Sequence, residues 1–258
     1  MAEEAQTVSI TARDGISLDA SLFRPERPNG DVVLVLHGIG DSRGSAVGFA
    51  RWLVAHGYVV LTPDSRAHGT SGGDLATYGL READDVNRWV SWVIEHEHPR
   101  RVLGLGESLG GGVLLQSLAV EPRFSGIVAE CPYADFRWIA EDRVSELVHA
   151  PRWLAAPPVW FAFQYARWRY DLDFRDVSPA RAIAHTHTPI LLIHGTADTK
   201  TPPEHSKALA AQNPKMIQLW LVAGAEHTQA WQTAPEEFER RILTFYQNLP
   251  PGIQVREK

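Results

Sequence analysis

The chain has 258 residues, enough for one large domain or two small ones, and 44% hydrophobic against 22% charged residues is a globular balance, not that of a disordered chain. Its formal net charge of −6 argues against a nucleic-acid partner, whose phosphates require a basic face. The longest aliphatic runs, residues 32–36 and 190–193, are far shorter than the ~18 apolar residues of a membrane helix. The acidic start, residues 1–6, has no apolar core of a secretory signal, and the single cysteine, Cys131, permits neither an intramolecular disulfide nor a cysteine-based metal cluster. A cytoplasmic protein without a transmembrane segment is expected.

Residues 8–10 and 16–23 alternate apolar and polar with a period of two around the two-residue turn signal Asp14-Gly15, and predict an antiparallel hairpin. Beyond residue 29 the pattern changes to short continuous aliphatic runs at 32–36, 58–61, 102–105, 126–129, 190–193 and 217–222. Such runs suit strands buried on both faces, as in a parallel sheet covered by helices. Helical stretches are predicted between them at 46–56, 81–97 and 109–120, with a last one at 235–248; Gly57, Pro99 and Pro122 follow the first three. The alternation predicts an α/β class: a mostly parallel, doubly wound sheet with an N-terminal antiparallel hairpin.

Residues 132–179 break this rhythm. They hold 11 of the chain's 24 aromatic residues and no strand-like run, and they read as a helical insertion. Phe161, Tyr165 and Trp168 recur at helical spacing and would share one face.

The chemistry enters at Gly106-Glu107-Ser108-Leu109-Gly110, directly after one strand run and directly before a helix. A serine on so tight a strand-to-helix turn has its hydroxyl lifted above the sheet edge, and glycines are needed two residues to either side because side chains there would strike the neighbouring strand and helix. The helix that begins there offers a backbone N–H and a favourable dipole to an oxyanion.

In this context the sequence resembles the α/β-hydrolase superfamily. The resemblance rests on His37-Gly38-Ile39-Gly40 after the third strand, Asp64 to Ser71 after the fourth, the Ser108 turn, His194-Gly195-Thr196-Ala197-Asp198, and Glu226-His227, in that order over nearly the whole chain. It implies a serine hydrolase of esterase or lipase type, with a core of residues 1–131 and 180–258 and an aromatic-rich cap of residues 132–179. Asp64, Arg66 and His68 match a family loop that braces the site.

A serine hydroxyl is a poor nucleophile until a base takes its proton, and the base needs an acid to hold its tautomer. Among eleven histidines, His227 stands in the loop after the last strand, where the resembled family keeps its base. His37 and His194 each precede a glycine in a turn and read as structural, while His96, His98, His185 and His187 read as surface residues without metal-ligand spacing. For the acid, Asp198 gives the chain order Ser, Asp, His that the fold uses; Asp135, Glu130 and, less well, Glu226 are rivals. The oxyanion hole would use the backbone N–H of Leu109 and, by match to the family, of Ile39. Cys131 reads as a small core residue and the acidic pair Asp84-Asp85 as a helix start.

The function expected is cleavage of carboxylic esters through an acyl-enzyme on Ser108, with no metal or organic cofactor and a small-molecule acyl compound as substrate. The same triad serves a thioesterase, an amidase or peptidase, or an acyltransferase. A non-catalytic binding module, or a membrane-surface lipase using the aromatic insertion as a lid, are readings from other classes. For the pocket wall, Trp153, Trp160, Phe161 and Trp168 are the candidates. The oligomeric state is not legible.

Overall fold

The structure, a computed structural model, describes residues 5–250; the first four residues of the acidic start lie outside them. A single sheet of eight strands runs in the order β1-β2-β4-β3-β5-β6-β7-β8. The strands are β1 (Gln6–Thr11), β2 (Ser17–Phe23), β3 (Asp31–Leu36), β4 (Val59–Pro63), β5 (Arg101–Glu107), β6 (Phe124–Glu130), β7 (Ile190–Gly195) and β8 (Ile217–Val222). β2 pairs antiparallel with both β1 and β4, and every other neighbouring pair is parallel. All six continuous aliphatic runs became strands. The hairpin formed too, although its connection spans residues 12–16 instead of two residues, with Gly15 at φ +86° closing it through a bond to Ala12 O.

The helices are α1 (Val47–Ala55), α2 (Glu82–Glu97), α3 (Leu109–Ser117), α4 (Phe136–Val148), α5 (Arg152–Tyr170), α6 (Pro179–Ile183), α7 (Glu204–Gln212), α8 (Ala230–Thr233) and α9 (Pro235–Gln247). Alternate residues of each central strand supply two cores. Val32, Leu34 and Leu36 pack with Val86 and Trp89 of α2, Val113 and Leu114 of α3, and Leu209 of α7. Val33 and Val35 pack with Phe49 and Leu53 of α1 and Phe238 and Ile242 of α9. That is why β3 to β7 read as unbroken apolar runs: neither face meets water, whereas the edge strand β8, read the same way from residues 217–222, is partly exposed.

Two consequences position the site. The chain goes from β3 outward to β4, then crosses back to β5 on β3's other side, so the loops after β3 and β5 diverge from adjacent strands and leave a crevice at their carboxyl ends. Leu36 of β3 stands in register with Gly106 of β5, which brings the segments holding Ile39 and Ser108 side by side. Between β6 and β7, residues 136–176 form α4, α5 and a 3-10 turn. Phe136 of α4 stacks on Phe163 of α5 with centroids 5.6 Å apart.

Candidate active site

β5 ends at Glu107, and the chain reverses sharply into α3 through Ser108, whose φ of 49° lies in the left-handed region. A non-glycine residue held there stores on the order of 1–3 kcal/mol of strain. Its N–H is fixed to Glu130 O at 2.8 Å. The flanking glycines are required by contact: a methyl group at Gly106 would lie 2.5 Å from the Gly110 carbonyl carbon, and one at Gly110 would lie 2.3 Å from Leu36 O.

Two further strand ends meet this turn. The loop after β7 carries Asp198 and the loop after β8 carries His227; they pack so closely that a Cβ at Gly195 would sit 2.2 Å from Ala225 O. His227 Nε2 lies 2.9 Å from Ser108 Oγ, and His227 Nδ1 lies 2.7 Å from Asp198 Oδ2. An ionised carboxylate only accepts hydrogen bonds, so Nδ1 carries the proton and donates to Asp198. Nε2 is then left with the lone pair that accepts from the Ser108 hydroxyl.

Asp198 is a buried side chain. Burial alone would raise its pKa, yet hydrogen bonds from His194 and His227 and from the Thr201 N–H outweigh it, and the carboxylate is held well below its ordinary range. Its other oxygen, Oδ1, accepts from the N–H groups of Lys200 and Thr201, each at 2.9 Å.

The rival acids are employed elsewhere. Asp135 caps α4 through the N–H groups of Arg137 and Trp138, and Glu130 accepts from Ala230 N–H at 3.0 Å, burial raising its pKa to about 7. Glu226 is exposed. None of the three bonds His227.

Ile39 and Leu109 both line the cavity above Ser108. Their N–H groups have no acceptor among the described residues. The loop that carries Ile39 is tied down by its neighbour: Ser65 N–H donates to His37 Nε2 at 3.1 Å, Gly40 N–H to His68 Nε2 at 3.2 Å, and Arg43 N–H to Asp64 Oδ1 at 2.6 Å. Behind it, Arg66 grips the buried Asp85 carboxylate with two bonds of 2.8 Å. Asp64, Arg66 and His68 thus hold the loop in place and stand outside the cavity.

The cavity itself, about 450 Å³, is walled by Gly38, Ile39, Tyr78, Leu109, Tyr133 and Ile139, with Asp41, Arg143 and Lys200 supplying charge and Glu107 a further carboxyl group. Burial, then the neighbouring Glu130 and Asp41, push the Glu107 pKa up to about 8. None of Trp153, Trp160, Phe161 and Trp168 lines it. All four are exposed, because α5 turns its smaller stripe, Ala155, Val159 and Phe163, toward the protein. The expectation that these aromatics form the pocket wall is not met; α4 provides that wall through Ile139 and Arg143. A larger cavity of about 580 Å³, around Pro189, Met216 and Phe245 near the strands' amino ends, is lined by no serine, cysteine or histidine.

One cluster of metal-ligand types was not seen in the sequence: Cys131, His194 and Asp198 bring ligand atoms within 4.8 Å of one another. Its chemistry does not suit a cation. Both ring nitrogens of His194 are engaged, Nδ1 with Ser206 Oγ at 2.6 Å and Nε2 with Thr201 O at 2.7 Å, and burial drives the Cys131 thiol far above its ordinary range. His185 and His187 are exposed, and no helix among the described residues is long and apolar enough to cross a membrane.

A family model described as "Alpha/beta hydrolase family" matches residues 32–241. Uncharacterized protein YqkD of Bacillus subtilis is 25% identical over 227 residues, 87% of this chain and 73% of that protein. Uncharacterized protein YfhR of Escherichia coli is 26% identical over 236 residues, 88% of this chain and 75% of that one. Among solved structures, the Pyrococcus furiosus esterase Pf2001 is similar with a TM-score of 0.78 at 25% identity, over 95% of this chain and 91% of the esterase.

Proposed function

The chain belongs to the alpha/beta hydrolase family, and on that premise we propose that it is a serine hydrolase that cleaves carboxylic esters through an acyl-enzyme on Ser108. Ser108 Oγ attacks the acyl carbonyl while His227 Nε2 takes its proton. Asp198 holds the imidazole in the required tautomer and stabilises the imidazolium that forms. The N–H groups of Ile39 and Leu109 bind the oxyanion. His227 then gives its proton to the departing alcohol, and water, deprotonated by the same nitrogen, attacks the acyl-enzyme and frees the acid and Ser108. Side chains and water hold every proton in this cycle, so it calls for no metal or organic cofactor.

The observation that carries the reading is the unbroken chain of hydrogen bonds from Ser108 through His227 to Asp198, 2.9 and 2.7 Å, at the floor of a cavity large enough for a small ester. Esters are favoured over thioesters and amides by the likeness to the Pyrococcus esterase. Residues 132–179 act as the cap, with α4 over the cavity and α5 outside it.

An acyl-chain series of p-nitrophenyl esters, assayed beside matched thioesters and anilides, tests the substrate class. Ester turnover should dominate, and Ser108→Ala should reduce it on the order of 10³-fold or more. A fluorophosphonate probe should label the wild type at Ser108 alone. Labelling at another residue, or turnover that survives Ser108→Ala, would overturn the mechanism.

A further inference from the structure

The 19-residue helix α5 rests on the protein through Ala155, Val159 and Phe163, and among the described residues nothing covers its opposite face. At roughly 100° per residue, Trp160, Trp153, Trp168, Phe161, Leu154 and Tyr165 share an arc of roughly 140° in which Gln164 is the one polar side chain and Pro157 also stands. All six are exposed, Trp153 at 71% and Trp168 at 80%. So large an apolar face on a surface calls for a partner.

The margins of the arc identify its chemistry. Arg167 stands just beyond one edge and Arg169 just beyond the other. α5 carries three arginines and no acidic residue, in a chain whose net charge is −6. Arg152 is engaged on the inner side by Glu141 and Asp142. Arg167 has only Asp173, at 3.7 Å, and Arg169 stacks on Tyr170 without a carboxylate partner among the described residues. Tryptophan, tyrosine and arginine around an apolar strip are the side chains suited to the boundary between headgroups and acyl chains, where rings sit at the interface and guanidinium groups reach the phosphates.

We propose that α5 lies flat on anionic lipid surfaces, with its aromatic face in the headgroup region and Arg167 and Arg169 on lipid phosphates. α5 is stacked on α4, and α4 walls the cavity with Ile139 and Arg143. Docking therefore brings the cavity-lining helix beside the lipid. The proposal depends on no step of the reaction described above.

Co-sedimentation with vesicles tests it, using phosphatidylcholine alone and phosphatidylcholine mixed equally with phosphatidylglycerol. The wild type should partition onto the anionic vesicles, less with added salt, and Ser108→Ala should bind equally well, so that failure of the esterase reading would leave this result intact. The triple variant Trp160→Ser, Phe161→Ser, Trp168→Ser changes only exposed side chains and should keep its melting temperature while losing on the order of tenfold or more in partitioning. Arg167→Gln with Arg169→Gln should lose roughly 30-fold on anionic vesicles and almost nothing on neutral ones. Absence of binding to either vesicle, or a triple variant that binds like the wild type, overturns the proposal. So does a wild-type dimer in gel filtration that ignores vesicles and that the triple variant breaks into monomers, since the face would then belong to a second copy.

Discussion

His194 Nε2 lies 3.3 Å from Asp198 Oδ2, the same oxygen that His227 Nδ1 approaches at 2.7 Å. His194 Nε2–H donates to Thr201 O at 2.7 Å and Ser206 holds Nδ1, so the ring is pinned with its Nε2 edge beside the carboxylate from behind. The acid of the proposed triad is therefore shared between two histidines. His194→Phe keeps the ring and removes this support; a hydrogen bond to a charged group is worth about 1.5–3 kcal/mol, so kcat/KM should fall about 10- to 100-fold. Stability should fall as well. A depressed Asp198 pKa contributes stability that is present above the ordinary value of 3.8 and is lost as pH falls through the lower folded value, and the variant shrinks that contribution. Unchanged kinetics would mean that His194 only fills space.

Asp198→Asn should keep the fold and depress kcat on the order of 10⁴-fold, because an amide that donates to Nδ1 leaves the proton on Nε2, where it blocks acceptance from Ser108. Asp135→Asn keeps an Oδ1 that still accepts from the first turn of α4, so it should change stability by no more than roughly a few tenths of a kcal/mol and have little effect on rate. Steady-state kinetics on both variants decide the assignment; the reverse ranking would move the acid to the end of β6.

The legible part of this fold is the part in which one local rule decides the outcome. Central parallel strands have no wet face, so 32–36 and 190–193 announce themselves as unbroken aliphatic runs. The turn at Ser108 needs glycines at fixed offsets for steric reasons that hold in any context. The helices α6, α7 and α8 were not legible: α6 and α8 are one turn long, and α7 (Glu204–Gln212) buries His205 and Ser206 beside Leu209, a polar stripe that hydropathy does not mark. His205 is kept neutral there, burial pulling its pKa down to about 3, and it accepts the Ala134 N–H. The pairing of His194 with Asp198 depends on how the 196–201 loop turns back, which no spacing reveals. On α5, the pattern favours burying the aromatic arc, yet the smaller stripe packs inward, with Phe163 against Phe136 and Phe174.

Glu107 makes stability fall with alkali. Its folded pKa of about 8 lies above the ordinary 4.5, so the folded chain holds a proton that the unfolded chain has released between those values. Its contribution is intact below pH 4.5 and is lost as pH rises toward 8. At 1.36 kcal/mol per unit the loss is at most about 5 kcal/mol. Glu107→Gln cannot ionise, so its melting temperature should overtake that of the wild type as pH increases. Parallel melting curves for the two proteins across the pH range would refute the buried acid.

Two glycines separate conformational strain from collision. Gly40 has φ +73° with open space around its Cβ position, so Gly40→Ala should cost about 1–2 kcal/mol and leave a folded protein. A methyl group at Gly110 would lie 2.3 Å from the backbone oxygen of Leu36, on β3, which cannot yield without moving the loop that carries Ile39. Gly110→Ala should therefore cost roughly 3 kcal/mol or more, or prevent folding. Urea midpoints rank the two, and equal values would remove collision as the reason for glycine in the turn.

The wall of the cavity and the outer face of α5 make opposite demands on specificity. Ile139 projects from α4 into the cavity near Ser108, so Ile139→Ala enlarges it, and a pocket of this kind discriminates by about 1–3 kcal/mol per methylene. The acyl-chain optimum for p-nitrophenyl esters should shift toward longer or branched acids. Trp160→Ala, Phe161→Ala and Trp168→Ala alter side chains that touch no part of the cavity and stand in solvent, so their profiles on these short, water-soluble esters should coincide with the wild type. Their stability should stay within about 0.5 kcal/mol, as for surface positions generally. A chain-length shift in any of the three, with Ile139→Ala unchanged, would put α5 and not α4 against the acyl chain, and would require α5 to turn its aromatic face inward in solution.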